Sequence, residues 1–155
     1  MENDENLLIL ASTRSTIVSL DMVRLGKAGL DEHRQSVLNR VSKQYSWAIF
    51  GKETLKMIDL AYLTAKTGDE FAILSGKRDD ILFHGDKLNC DFEKVTELKE
   101  MLIMHKYEIF GHSHPGEPIP VASLDDKRVL RTLNQKTSRL ISGMTGMCVV
   151  FDASF

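Results

Sequence analysis

The sequence predicts one α/β domain of the α+β type, in which a mixed sheet is flanked by helices. Helical and strand-like patterns alternate along the chain, an order that is typical of mixed folds. The length of 155 residues is that of one ordinary domain. A hydrophobic share of 43% is enough for a chain of this size to bury a core of its own.

The first half of the chain begins with a polar segment and continues as four predicted elements. We expect residues 1–6 to be a disordered, solvated tail and residues 7–155 to form the domain. Gly26 and Gly29 indicate a turn before Asp31. Apolar runs and helical spacing predict, in order, a strand at 7–11, a helix at 31–43, a strand or buried connection at 47–50, and a helix at 53–66.

The second half is more regular and carries the motif described below, so the motif-bearing core spans about residues 53–155. Two apolar runs, 70–74 and 81–84, flank a polar turn and predict a hairpin. The remaining predicted elements are an amphipathic helix at 92–105, a strand at 107–110, a loop with all three prolines, a helix at 123–136, and a strand at 147–151.

Composition and charge exclude several function classes. The formal net charge is −2 and the basic residues are scattered among acids, which argues against a nucleic-acid partner. No apolar run approaches the roughly 18 residues that span a bilayer, so no membrane association is expected. The acidic start of the chain does not resemble a signal peptide, and we expect a cytoplasmic protein.

The segment that indicates chemistry is Gly111-His112-Ser113-His114-Pro115, which directly follows a predicted strand. On an extended backbone, side chains two residues apart point to the same side, so His112 and His114 can present two ring nitrogens to one point. A catalytic zinc site usually has three protein ligands and one water. Asp126 lies in the first turn of the helix that starts at Ser123, and it could point back toward the histidines.

Structural interpretations of the same residues remain open. A His-x-His pair can lie on a surface without a metal, and Ser123 with Asp126 also forms a capping box. The cap and the metal site are compatible. Other His-x-His folds do not fit: amidohydrolase barrels need roughly 250 residues, a cupin needs a histidine after His114, and a nucleoside deaminase needs Pro-Cys-x-x-Cys.

The segment from Gly111 to Asp126 resembles the JAMM motif, also called MPN+ or JAB, of zinc metallopeptidases. That motif consists of an upstream Glu, then His-Ser/Thr-His-Pro, then Ser-x-x-Asp. The proline-rich loop is most similar to those of bacterial RadC-like and phage- or toxin-associated JAB domains. The resemblance covers about residues 68–155 and implies a JAB/MPN architecture, which is similar to that of cytidine deaminases.

The resemblance also implies roles for individual residues. His112, His114 and Asp126 would bind one Zn²⁺ per chain. Glu70 would be the general base and acid, and Ser123 would help to hold the tetrahedral intermediate. The family usually has seven residues between the second His and the Ser, whereas this chain has eight. The alternative register puts Ala122 at the serine position and Asp125 at the ligand position, and Asp69 is the alternative to Glu70.

The implied activity is hydrolysis of a peptide or isopeptide bond, in some relatives at the C-terminus of a ubiquitin-like protein. The expected partner is therefore a peptide or a ubiquitin-like protein. The alternatives are a non-catalytic binding module on the same fold and an effector peptidase associated with a phage or a toxin. Of the other candidate residues, Glu117 could contact substrate, and His84 is expected to be an ordinary histidine at a strand end.

Overall fold

A six-stranded mixed sheet organises residues 20–154, which are the residues that this computed structural model describes. The strands are β1 (Trp47–Gly51), β2 (Phe71–Gly76), β3 (Asp79–His84), β4 (Tyr107–His114), β5 (Thr137–Ser142) and β6 (Cys148–Asp152). The helices are α1 (Glu32–Arg40), α2 (Met57–Thr67), α3 (Thr96–Ile103) and α4 (Leu124–Thr132). Residues 20–24 are also helical, and Phe92–Lys94 form a 3₁₀ turn.

The strand order across the sheet is β1-β3-β2-β4-β5-β6. Strands β4 and β5 pair in parallel, and the other four neighbouring pairs are antiparallel. Parallel neighbours need a crossover connection, which here contains the proline loop and α4. Within this crossover, the proline loop connects the C-terminal end of β4 directly to the start of α4.

The two faces of the sheet bury separate apolar clusters. Alternate residues of β2 point in opposite directions, with Phe71 and Ile73 toward α1 and α2 and Ala72 and Leu74 toward α3 and α4. The first face is completed by side chains such as Val37, Leu60, Leu63, Leu82 and Ile141. The second is completed by Ile81, Phe83, Leu98, Leu102, Ile109 and Leu130. The sheet is thus covered on both sides.

The predicted fold class is confirmed, as is the hairpin formed by β2 and β3. The apolar run at 47–50 is a strand at the edge of the sheet, paired with β3. None of the helices among residues 20–154 has the length and apolar character needed to cross a membrane. The predicted tail at 1–6 and the predicted strand at 7–11 lie outside the described residues.

Several boundaries differ from the prediction. The helix predicted at 53–66 begins at Met57, since residues 52–54 form a turn. The helix predicted at 92–105 is divided, because Val95 has an extended backbone with φ −127° between the 3₁₀ turn and α3. The helix predicted at 123–136 ends at Thr132, and Asn134 then adopts a left-handed φ of 55° before β5 begins.

Candidate metal centre

A β-bulge in β4 sets the direction of the two histidines. Ile73 of β2 pairs with Gly111 and Leu74 pairs with Ile109, so Phe110 is an extra residue in β4. An extra residue reverses the alternation of the side chains that follow it. As a result, His112 lies on the same face as Ile109, toward α3 and α4, and its partner in register is Ala72 of that face.

Ser113, between the two histidines, points to the opposite face and forms hydrogen bonds to β2 and α2. Its hydroxyl accepts the backbone N–H of Phe71 at 2.9 Å and lies 2.6 Å from the hydroxyl of Thr64 on α2. All of these groups are buried. Because β4 is bonded to β2 and α2 through this one side chain, the backbone that carries the histidines is held firmly.

Three side chains converge on the other face of β4. The Nε2 atoms of His112 and His114 are 3.2 Å apart. Asp126 places Oδ1 3.1 Å from Nε2 of His112 and Oδ2 3.3 Å from Nε2 of His114. A tetrahedral zinc ion with bonds of about 2.0–2.1 Å to nitrogen and oxygen keeps its ligand atoms about 3.3 Å apart. The three side chains therefore have the spacing of zinc ligands.

The N-terminus of α4 orients Asp126. Ser123 is the N-cap, and its hydroxyl oxygen accepts the backbone N–H of Asp126 at 3.0 Å. Asp126 in turn accepts the backbone N–H of Ser123 at 2.9 Å, which completes the predicted capping box. Asp125 points away, with a side chain that is 79% exposed and paired with Arg128 at 3.4 Å. The carboxylate that faces the histidines is therefore that of Asp126.

Glu70 is the second acid beside the histidines, and it lies immediately before β2. Its backbone is fixed by two hydrogen bonds, from its own N–H to the carbonyl of Asp86 and from the N–H of Gly85 to its carbonyl. Its carboxylate is buried, with Oε2 4.0 Å from Nε2 of His114. Glu70, His112 and His114 offer ligand atoms that all lie within 4.8 Å of one another, so this group could hold a metal ion.

Asp69 belongs to a different site, on the other face of the sheet. Its carboxylate accepts hydrogen bonds from Gln44 at 3.1 Å and from Nε2 of His84 at 2.7 Å. Nδ1 of His84 donates to the carbonyl of Val41 at 2.6 Å, and its ring stacks on Phe71. Both ring nitrogens of this buried histidine are thus within hydrogen-bond distance of an oxygen atom of the chain. The strand-end position predicted for His84 is correct, and the geometry gives the residue a structural role.

The two acids beside the histidines differ in electrostatic environment. Burial raises the pKa of Glu70 to about 9, and the negative charges of Asp126, Asp86 and Glu117 contribute to the rise. Burial also raises the pKa of Asp126, but hydrogen bonds from His112 and His114 outweigh it, and the net pKa lies well below the usual range. Without a metal, burial therefore favours the protonated form of Glu70, whereas the two histidines favour the anionic form of Asp126.

Two further contacts to the histidines were not anticipated from the sequence. Oε1 of Glu117 lies 3.6 Å from Nδ1 of His114, while its Oε2 accepts the backbone N–H of Val121. The ring of Phe151 on β6 meets the ring of His112 edge-on, with centroids 6.2 Å apart. A carboxylate beside the second ring nitrogen is a common way to orient a metal-binding histidine. The spacing of three residues between His114 and Glu117 is the one sequence signal that could have indicated the first contact.

The donor atoms present suit a divalent cation. Two imidazole nitrogens and a carboxylate, with a second carboxylate nearby, are the ligand types of catalytic zinc sites. The Nε2 atoms of His112 and His114 face each other and share one carboxylate. A cation between the two nitrogens would satisfy all three groups at once.

No protein-family model matches the chain, and no curated protein or solved structure matches it. The function of this site is therefore inferred from its geometry and chemistry.

Proposed function

We propose that this chain is a zinc-dependent hydrolase of the JAMM type that cleaves a peptide or isopeptide bond. The observation that carries the proposal is the convergence of His112, His114 and Asp126 with ligand atoms 3.1–3.3 Å apart. Glu70 lies beside this triad as a second, buried acid. Two imidazoles and one carboxylate would hold the ion with three protein ligands, the number typical of catalytic rather than structural zinc.

In this proposal the metal ligands are His112, His114 and Asp126, and one ion is held per chain. Glu70 is the fourth polar side chain and stays outside the inner triad, since its oxygen is 4.0 Å from the nearer histidine nitrogen. Zinc in such a site supplies a Lewis acid that polarises a carbonyl oxygen and makes water a nucleophile near neutral pH. The chain's own residues carry out the proton transfers and stabilise the oxyanion.

Glu70 moves the proton. Its high pKa in the metal-free protein comes first from burial, with a smaller contribution from neighbouring negative charges. With a cation held by the neighbouring ligands, the Glu70 carboxylate would be stabilised and could accept a proton from the attacking water. The same group then holds the proton close enough to give it to the leaving amine.

Ser123 is proposed to stabilise the oxyanion of the tetrahedral intermediate. Its oxygen accepts a backbone N–H of α4, which leaves the hydroxyl hydrogen to be donated toward the substrate. The exposed N-terminus of α4 adds a favourable partial positive charge at the same position. Ser123 thus contributes to both the cap and the oxyanion site.

The substrate proposed is a peptide or the C-terminal segment of a ubiquitin-like protein. The chemistry of the site is that of amide hydrolysis in both cases, and both expose an extended chain that can enter a cleft. A comparison of the rates at which the protein hydrolyses short peptides and ubiquitin-like fusions distinguishes the two substrate classes.

Metal analysis of the purified protein tests the proposal. We expect one zinc per chain in the wild type, a loss of zinc in His114→Ala, and retained zinc in Glu70→Gln. The wild type should cleave a peptide or ubiquitin-like fusion, and Glu70→Gln should lose at least 100-fold in kcat. His33→Ala is a control histidine variant, since His33 lies on α1 away from the metal centre.

A zinc-binding protein that cleaves no amide substrate would contradict the enzymatic proposal and favour a binding module. Failure of the wild type to bind any divalent metal, after metal-free purification and reloading, would rule out the metal centre itself. Both measurements use the intact chain.

A further inference from the structure

An apolar pocket of about 370 Å³ opens beside the metal centre, on the side of His112 and Asp126. It lies between α3, α4 and the end of β6, on the sheet face that the histidines share. Its walls are mainly aliphatic and aromatic and include Leu102, Ile103, Val129, Leu130, Leu133 and Phe151. The volume falls within the range of pockets that bind small ligands.

Four of the charged side chains at this pocket form two ion pairs with one another. Lys99 lies 3.8 Å from Glu93, and Arg128 lies 3.4 Å from Asp125, with all four side chains at the exposed mouth. Cys90 is neutral inside the pocket, because burial raises the pKa of its thiol. Among the aliphatic walls a charged ligand group would be buried without a partner, whereas an apolar group would meet complementary surfaces.

Parts of the apolar walls are exposed to solvent. Ile103 is 53% exposed and Val129 is 36% exposed, both on neighbouring helices that flank the pocket. A side chain seated between them would remove this apolar surface from water, which is favourable in proportion to the area covered. His112 and Asp126 form the inner end of the same pocket, so an occupant would be continuous with a substrate group at the metal centre.

Resting on the proposed hydrolase function, we propose that this pocket binds a large apolar side chain of the peptide substrate, on the acyl side of the scissile bond. The side of the bond follows from Glu70. That residue is the proposed proton donor to the leaving amine, and it does not line the pocket. The amine half of the substrate therefore lies toward Glu70, and the acyl half lies toward the apolar walls.

A peptide mixture of randomised sequence, digested by the zinc-loaded wild type and analysed by mass spectrometry, tests this specificity. We expect cleavage after Leu, Phe or Met, with kcat/KM at least tenfold higher than after Lys, Glu or Gly. Hydrolysis with no preference on the acyl side, or with an apolar preference only on the amine side, would overturn the pocket assignment and leave the proposed function intact.

Two lysine variants test whether the preference for apolar substrates depends on this pocket. Val129→Lys places a charge in the pocket and should lower kcat/KM for a Leu-containing peptide at least tenfold, with unchanged zinc content. Leu25→Lys is the matched control, since Leu25 is 57% exposed and lies outside the pocket. Equal effects of the two substitutions, or no effect of Val129→Lys, would contradict the proposal.

A binding measurement separates the pocket from the chemistry. N-acetyl-Leu-Leu-amide, added to zinc-loaded Glu70→Gln protein, should shift the methyl NMR signals of Ile103, Val129 and Leu130. N-acetyl-Lys-Lys-amide should not. If no peptide is hydrolysed but these shifts occur, the hydrolase proposal fails and the apolar peptide site stands. If the shifts are absent, the pocket does not bind an apolar peptide.

Discussion

Asp126 on α4 approaches His112 on β4 with 3.1 Å between Oδ1 and Nε2, although the proline loop separates the two elements. The contact brings the start of a helix to the end of a central strand. It joins the two halves of the candidate motif and leaves Asp125 outside it.

Replacing Asp126 by Asn should weaken zinc binding at least tenfold. The amide keeps an oxygen that can accept the backbone N–H of Ser123, but it lacks the negative charge that faces the two histidines. Competition with a chromophoric chelator measures the affinity. Asp125→Asn is the matched control and should bind zinc like the wild type, and the reverse order of affinities would support the alternative register.

Glu70→Gln should stabilise the metal-free protein at alkaline pH. The folded-state pKa of Glu70 is raised to about 9, so between its unfolded and folded pKa values the folded state holds more protons than the unfolded state. The free energy of unfolding of the wild type must then fall as pH rises through this interval. One pKa unit corresponds to about 1.4 kcal/mol, so the free energy of unfolding of the wild type should fall by about 2–4 kcal/mol between pH 5.5 and pH 8.5.

Urea denaturation at both pH values, with chelator present, measures this fall in the wild type and in the variant. Asp126 contributes in the opposite direction, and only at low pH, because its lowered pKa gives stability that is lost below the usual carboxylate range. If the difference in free energy of unfolding between the wild type and Glu70→Gln is the same at pH 5.5 and at pH 8.5, Glu70 is charged in the metal-free fold.

Glu117→Gln should lower zinc affinity by about threefold to tenfold. The Glu117 carboxylate lies 3.6 Å from Nδ1 of His114 and favours the tautomer with the proton on that nitrogen, which leaves Nε2 as the ligand atom. Because Glu117 is partly exposed, we expect a smaller effect than for a metal ligand. Glu108→Gln, an exposed acid on the same strand as the histidines, is the control.

Ser113→Ala should destabilise the fold by about 1–3 kcal/mol, the cost of leaving a buried donor unpaired. The donor is the backbone N–H of Phe71, which bonds to the Ser113 hydroxyl. Equilibrium unfolding in urea measures the loss. Ser36→Ala removes an exposed hydroxyl from α1 and should change stability by no more than about 0.5 kcal/mol. Equal losses in the two variants would refute a special role for Ser113.

Local patterns predicted much of this fold and site. The two apolar runs 70–74 and 81–84, on either side of a polar turn, predicted the hairpin of β2 and β3. The Ser-x-x-Asp spacing predicted the capping box at Ser123. Both features depend on residues close together in the chain. The prediction that His112 and His114 share a face also needed only the period of an extended strand.

Features that depend on distant pairing could not be predicted. The bulge at Phe110 determines which face receives His112, and it exists only in relation to β2. The choice between Asp69 and Glu70 depends on where His84 of β3 lies, because His84 holds Asp69 on the opposite face. The pocket beside the metal centre needs α3, α4 and β6 together.

The capping box of α4 and the candidate metal centre share one side chain. One carboxylate, that of Asp126, bonds to the backbone N–H of Ser123 and also faces both histidines. In the proposed site, ordering of the first helical turn and binding of the ion would therefore be linked equilibria, and each would strengthen the other by the same factor. Amide hydrogen exchange at the start of α4 should slow when zinc is added, and it would report occupancy of the site without any substrate.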